Sequence, residues 1–247
     1  MSIETRRTIR KYAVSDVDQS LLERLFHQAA RTQTMGNLQL YSVIVTRSQD
    51  MKQRLAPAHF NQSMVTEAPV VLTICADFNR TTRWAECRQA SPGYDNLLSF
   101  INAATDALLF TQTFCNLAED EGLGLCFLGT TVYQPQHIID ALQLPRLVMP
   151  VATLTVGWPA EKPPLTDRLA PDAFVHQENY HDYTPADIDR YYEEKENLPE
   201  NRHFVELNHK QTLAQVFTDL RYTRRDNEAL SATLLKALKQ QGFIDTI

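Results

Sequence analysis

Val70-Val71-Leu72-Thr73-Ile74-Cys75-Ala76 is the stretch on which the fold turns. A strand with one face in water alternates apolar and polar residues, whereas one covered on both faces reads as an unbroken apolar run. Only Thr73 interrupts this run, so it is a central strand. Upstream, Tyr41-Ser42-Val43-Ile44-Val45-Thr46 is β-branched and predicts a second strand. Downstream, the run from Gly122 to Thr131 predicts a short buried strand ending at Gly129, and residues 151–156 predict another, stopped sharply by Gly157-Trp158-Pro159.

Helical patterns separate the strands. Leu21, Leu22, Leu25, Phe26 and Ala29 form one stripe at three- and four-residue steps, with Ser15 or Asp16 placed to cap it. Short helices are predicted around 51–55 and over 135–142. From 95 to 119 the sequence is apolar on more than one face, as in a helix covered by a core or by a second subunit. Residues 81–94 are polar and unpatterned and predict a surface loop. A last helix spans 227–241, with Leu230, Leu234, Leu235 and Leu238 on one face and Gly242 as its stop.

The chain has 247 residues, 43% of them hydrophobic, enough for one sizeable core. Its 24 basic residues stand against 30 acidic ones, for a net charge of -6, a balance that gives nucleic acid no foothold. Cys75, Cys87, Cys115 and Cys126 form no paired motif, and three lie in apolar runs, which predicts reduced thiols and a cytoplasmic protein. The first residues lack the apolar run of a signal peptide, and no stretch reads as a membrane span.

Against this acidic background, Arg6-Arg7-Thr8-Ile9-Arg10-Lys11-Tyr12 stands out. Guanidinium forks match phosphate oxygens two at a time. In an extended segment Arg6, Thr8 and Arg10 share a face; in a helical turn Arg6, Arg7 and Arg10 converge. Both make an anion pocket. The polar loop ahead of the first strand, with Thr34, Asn37 and Gln39, offers several hydrogen-bonding groups in a short span. Gly122-Leu-Gly124-Leu-Cys-Phe127 fails the dinucleotide fingerprint, which needs glycine where Phe127 stands; Gly129 instead lets backbone approach a ligand closely. His176, Glu178, His181 and Asp182 match no metal motif, and Tyr180, Tyr183, Tyr191 and Tyr192 are read as packing.

Taken in order, Arg-Arg-Thr-Ile-Arg-Lys-Tyr, Asn37-Leu-Gln39, Cys75-Ala-Asp-Phe-Asn-Arg80, Gly122-Leu-Gly-Leu-Cys-Phe-Leu-Gly129, Gly157-Trp-Pro159 and Leu165-Thr-Asp-Arg-Leu169 resemble the nitroreductase family over almost the whole chain, and most of all its NADPH-dependent nitroreductases and flavin reductases. The resemblance implies an α+β fold, a mixed and largely antiparallel sheet flanked by helices, in a homodimer with one FMN at each of two interface sites. It implies that Arg6, Arg7, Thr8 and Arg10 hold the FMN phosphate and ribityl chain and that Arg168 reaches the phosphate. It places Thr34, Asn37 and Gln39 on the flavin and partner side, Gln62 near the isoalloxazine ring, and Phe127, Leu128 and Gly129 with their backbone against the flavin. Two positions depart from the pattern: Thr166 stands where a lysine is usual, removing one charge from the phosphate site, and Thr130 replaces a common glycine.

The activity so implied is ping-pong hydride transfer from NAD(P)H, with NADPH favoured, to nitroaromatics, quinones or free flavin. Flavin N5 carries the chemistry, and no side chain is named as catalytic. Lys195 and Arg202 are the candidates for an NADPH phosphate, with solvated surface charge as the alternative. The competing reading is a non-catalytic flavin or nucleotide binder that kept the cradle. In domain terms, residues 1–158 are expected to form an FMN-binding core, 159–226 a proline-punctuated arm over the core and its partner, and 227–247 a closing helix, all as a single domain.

Overall fold

The computed structural model of the protein describes residues 3–244. Four strands, β1 (Tyr41–Thr46), β2 (Val70–Asp77), β3 (Gly124–Leu128) and β4 (Val148–Gly157), form one sheet in the order β1-β2-β4-β3. Each pairing is antiparallel, with Tyr41 opposite Ala76, Val70 opposite Val156 and Gly124 opposite Gly157. β2 and β4 hold the centre, and every residue of both is buried. That is the physical content of their largely apolar runs: both faces are covered, and the threonines at 73, 153 and 155 are buried with the apolar residues around them.

In chain order, the helices up to the last strand are α1 (Gln19–Ala29), α2 (Gln49–Leu55), α3 (Ser63–Glu67), α4 (Asn79–Glu86), α5 (Leu97–Asp120) and α6 (Pro135–Leu142). The 24-residue α5 buries Ala103, Ala107, Phe110, Phe114 and Ala118 in the main core. There Phe110 stacks on Tyr41 at 4.6 Å and Phe114 on Phe26 at 5.3 Å. Leu97, Leu98, Ile101, Leu108 and Leu109 remain exposed, so the same helix carries both a core face and an open apolar stripe.

Two sequence expectations shift here. The cap of α1 is Asp18, which accepts from Ser20 N; Asp16 instead pairs with Arg47 at 2.6 Å. Residues 81–94 are not all loop, because α4 runs through their first part. That helix buries only Thr81. A helix that small in its buried face leaves no hydrophobic stripe to read, and Asp77 starts it from tertiary context by accepting Arg80 N at 3.1 Å.

The chain divides after Pro164 and again after Ala229. The intervening unit, expected as an arm from 159, is helical: α7 (Pro185–Asn197), opened by a Thr184–Asp187 capping box, α8 (Pro199–Leu207) and α9 (Leu213–Val216), followed by a π-turn at Phe217–Arg221. α10 (Arg224–Gln240) starts three residues before the position predicted for the last helix. Prolines head α7 and α8 at N1, where the missing N–H costs nothing. The unit buries few apolar side chains, chiefly Ala173, Leu213 and Val216.

Candidate cofactor-binding site

The basic segment lies along the β3 edge of the sheet. Ile9 N donates to Leu125 O at 3.0 Å, Ala13 N to Trp158 O at 2.8 Å, and Ala160 N to Lys11 O at 3.0 Å, with Tyr12 bridged to Pro159. Of the two geometries open to it, the segment takes the non-helical one. Two glycines seat it. A Cβ on Gly124 would stand 2.7 Å from Ile9 Cβ, and one on Gly157 would stand 2.8 Å from the Tyr12 ring. The Tyr12 hydroxyl, within 2.7 Å of both Ile9 O and Thr155 Oγ1, is pushed well above its ordinary pKa by burial. Glu161 Oε1 accepts the backbone N–H groups of Arg10 and Lys11 at 2.7 and 3.0 Å, fixing the end of the segment.

The arginines divide their work. Arg6 pairs with buried Glu119 at 3.2 Å, and Arg7 donates Nε to Pro163 O at 2.7 Å and Nη1 to Thr5 O at 2.8 Å. Burial raises the Glu119 carboxyl pKa, and the Arg6 charge opposes that rise. Arg10 is exposed, with half-buried Thr8 two residues before it and its side chain beside Cys126 of β3. Burial raises the Cys126 thiol, and Arg10 and then Arg6 pull it back. The cationic field of the segment therefore reaches the β3 strand.

Along β3, Cys126 and Leu128 point into protein while Phe127 is 44% exposed. At its end a Cβ on Gly129 would meet nothing within 4 Å. That leaves an open backbone shelf. Beside it His59, fully buried, shares a 2.8 Å hydrogen bond between Nδ1 and Thr130 Oγ1, while its backbone oxygen accepts from Gln62 Nε2 at 3.1 Å. Phe60 and Asn61, between His59 and Gln62, both take left-handed φ near +54°, strain of the kind stored at ligand sites. Arg10, Phe127, Leu128, Gly129 and Gln62 thus gather around one edge of the sheet.

Thr34, Asn37 and Gln39 do not join them within one chain. Their loop enters β1, at the opposite edge, three strand spacings or roughly 14 Å away. It is built around Asp106 of α5, whose Oδ2 accepts from Thr34 Oγ1 at 2.5 Å and Leu40 N at 3.1 Å, and whose Oδ1 accepts from Met35 N at 2.8 Å. Arg80 of α4 clasps the loop from outside through Gln39 O. Gly36, Asn37 and Gln39 all have positive φ, and Gln39 Nε2 donates to Asn37 Oδ1 at 2.8 Å. This explains the Asp77–Arg80 part of the quoted motif: Asp77 bonds Ser42 and starts α4, and Arg80 holds the loop.

Arg168 belongs to the second unit, where Nη1 donates to Thr166 Oγ1 and Asp167 O, each at 2.7 Å. Thr166 thus supplies a hydrogen bond to Arg168 where the usual lysine would supply charge. Lys195 pairs with Asp167 at 2.7 Å, and Arg202 bonds Asn197. Of the four tyrosines, Tyr183 meets Tyr180 at 6.1 Å and Tyr191 at 6.2 Å, and His176 lies 4.4 Å from the Tyr180 ring, while Tyr180 and Tyr192 remain exposed. Sequence reading missed Asp106 and His59. Each had a signal, an acid inside an apolar helix and a histidine among alanines, which many proteins carry for packing alone.

Known proteins bear on this geometry. The sequence model of the nitroreductase family matches residues 3–158. The chain is 30% identical over 184 residues to an FMN reductase [NAD(P)H] of Bacillus subtilis, covering 72% of this chain and 73% of that one. It is 28% identical over 188 residues to an oxygen-insensitive NADPH nitroreductase of Salmonella typhimurium, covering 76% and 77%. The solved structure of a Bacteroides fragilis protein superposes with a TM-score of 0.96 at 58% identity, covering 98% of each chain.

Proposed function

The chain belongs to the nitroreductase family, and from that premise we propose that it is an FMN-dependent oxidoreductase that uses NAD(P)H, NADPH by preference, to reduce nitroaromatics, quinones or free flavin. The observation that carries the reading is the run from Arg10 past Cys126 to the open shelf at Gly129, a cationic end joined to an uncovered backbone edge. The donor set fits FMN. Arg10 and Thr8 face the phosphate and ribityl chain, and Arg6 and Arg7 shape the segment through Glu119 and Pro163. Phe127, Leu128 and Gly129 form the wall for the ring, with Gln62 beside it. FMN held by these residues would supply the redox chemistry between NAD(P)H and the acceptor. The protein positions, excludes water and stabilises charge with preorganised donors. NAD(P)H and acceptor occupy the same place in turn, which makes the kinetics ping-pong.

The protein acts as a homodimer in this reading. Thr34, Asn37 and Gln39 sit at the sheet edge opposite Gly129, so a second copy is what brings them to the flavin. The open stripe of Leu97, Leu98, Ile101, Leu108 and Leu109 on α5 supplies an apolar face for that copy. No helix among the described residues is long and apolar enough to cross a membrane. All four cysteines are free, in keeping with a reducing cytoplasmic setting.

The first test is the visible spectrum of the purified protein with release of its chromophore. Flavin bands and about one FMN per chain, followed by steady NADPH oxidation with an added quinone, are the expected result. Protein that stays colourless and takes up no added FMN defeats the reading. FMN uptake without turnover selects the non-catalytic binder. For the dimer, mixing an Arg10→Ala chain with an Asn37→Ala/Gln39→Ala chain restores one intact site per mixed dimer if the site is shared.

A further inference from the structure

His59 stands outside every role given so far, yet it joins the two parts of the proposed flavin wall. Its ring meets Thr130 Oγ1 at 2.8 Å, and its backbone oxygen holds Gln62 Nε2 at 3.1 Å. The ring is fully buried, and Nε2 has no hydrogen-bond partner among the described residues. Burial pulls its pKa from the ordinary 6.5 down to about 4, so the imidazole is neutral near pH 7 and carries a single N–H.

Two tautomers are available. With the proton on Nε2, a buried N–H goes unpaired while Thr130 spends its hydroxyl proton on Nδ1. With the proton on Nδ1, only a lone pair is orphaned. Orphaned buried N–H groups are the rarer and costlier of the two, so the second tautomer is preferred. Nδ1–H then donates to Thr130 Oγ1, and the threonine proton is released for another acceptor. Thr130 is half-buried and follows Gly129, whose open side faces the space assigned to the flavin.

We propose that His59 is a positioning residue that, by donating Nδ1–H to Thr130, makes the Thr130 hydroxyl a hydrogen-bond donor to the polar edge of the bound flavin while holding Gln62 on the neighbouring side. The proposal rests on the FMN reading above. It gives a role to the residue at which this chain departs from the family pattern: a hydroxyl stands where glycine is common, and a buried histidine orients it.

The test uses the FMN-loaded protein, four single variants and one double variant. Asn at position 59 places an amide N–H where Nδ1–H sits, whereas Gln reaches toward the Nε2 position. H59N is therefore expected to keep wild-type FMN affinity and flavin midpoint potential. H59Q and T130V are each expected to weaken FMN binding roughly five- to tenfold, as for one lost hydrogen bond, and to shift the potential. T130S is expected to match wild type. The H59Q/T130V double variant should be no worse than either single, because both remove the same contact. Long-range proton–nitrogen correlation spectra of the ring should show the proton on Nδ1 even without flavin. Additive losses, equal behaviour of H59N and H59Q, or a proton on Nε2 overturns the proposal. Wild-type protein that binds no FMN overturns the functional reading instead, and the ring spectrum distinguishes the two failures.

Discussion

Gly124→Ala tests whether the seating of the basic segment sets the cofactor site. A Cβ at residue 124 would lie 2.7 Å from both Cβ and Cγ1 of Ile9 and 2.8 Å from Cγ2. Ordinary contact begins near 3.4 Å. Because Ile9 Cβ itself is among the clashing atoms, no rotamer change relieves it, and the backbone at residue 9 must retreat by about 0.7 Å. The 3.0 Å bond from Ile9 N to Leu125 O then stretches past useful length. Overpacking costs about 1–3 kcal/mol and the lost hydrogen bond about 1 kcal/mol, so a stability loss of about 2–4 kcal/mol is expected in urea unfolding. Thr8 and Arg10 flank Ile9 and move with it. Displacement on this scale is expected to weaken FMN binding tenfold or more, read by quenching of flavin fluorescence. An unfolding midpoint unchanged from wild type, together with FMN affinity within about twofold of it, given the losses just worked out, would refute the seating argument.

Gly129→Ala should show the opposite profile: with nothing within 4 Å of the new methyl, stability should hold while FMN affinity falls, and equal loss of both would contradict an open shelf there. Asp106→Ala strands Met35 N and Leu40 N and should cost about 3–5 kcal/mol, and Asp106→Asn about 1–3 kcal/mol, by urea unfolding. Both should also raise proteolytic cleavage in the 34–39 loop. His59 makes stability depend on pH: its folded pKa of about 4 lies below the unfolded 6.5, so the unfolded chain binds the extra proton between them. That stability is fully present above about pH 6.5 and is lost as pH falls toward 4, about 3 kcal/mol in all. H59N should flatten this part of the profile, as measured by unfolding at a series of pH values.

The sequence by itself determined the central strand β2, whose run is apolar on both faces apart from Thr73, and located β4, although the Thr153 and Thr155 alternation there left its full burial to the structure. It also located the arginine segment, the family motifs and the double character of α5, whose two apolar faces were legible as core or interface. It did not determine α4, whose buried face is one threonine, or the cap of α1, where Asp16, Asp18 and Ser15 all had the right chemistry and tertiary pairing with Arg47 took Asp16 away. Tertiary structure alone decided how the arginines divide, because Arg6 and Arg7 turn toward Glu119 and Pro163, partners more than a hundred residues distant. It alone placed Asp106 beneath the 34–39 loop and His59 against Thr130. Periodicity reports which face of an element is covered, since burial acts residue by residue along a regular repeat. A hydrogen bond between distant residues depends on distance and angle at one point in space, and no local pattern in the chain records it.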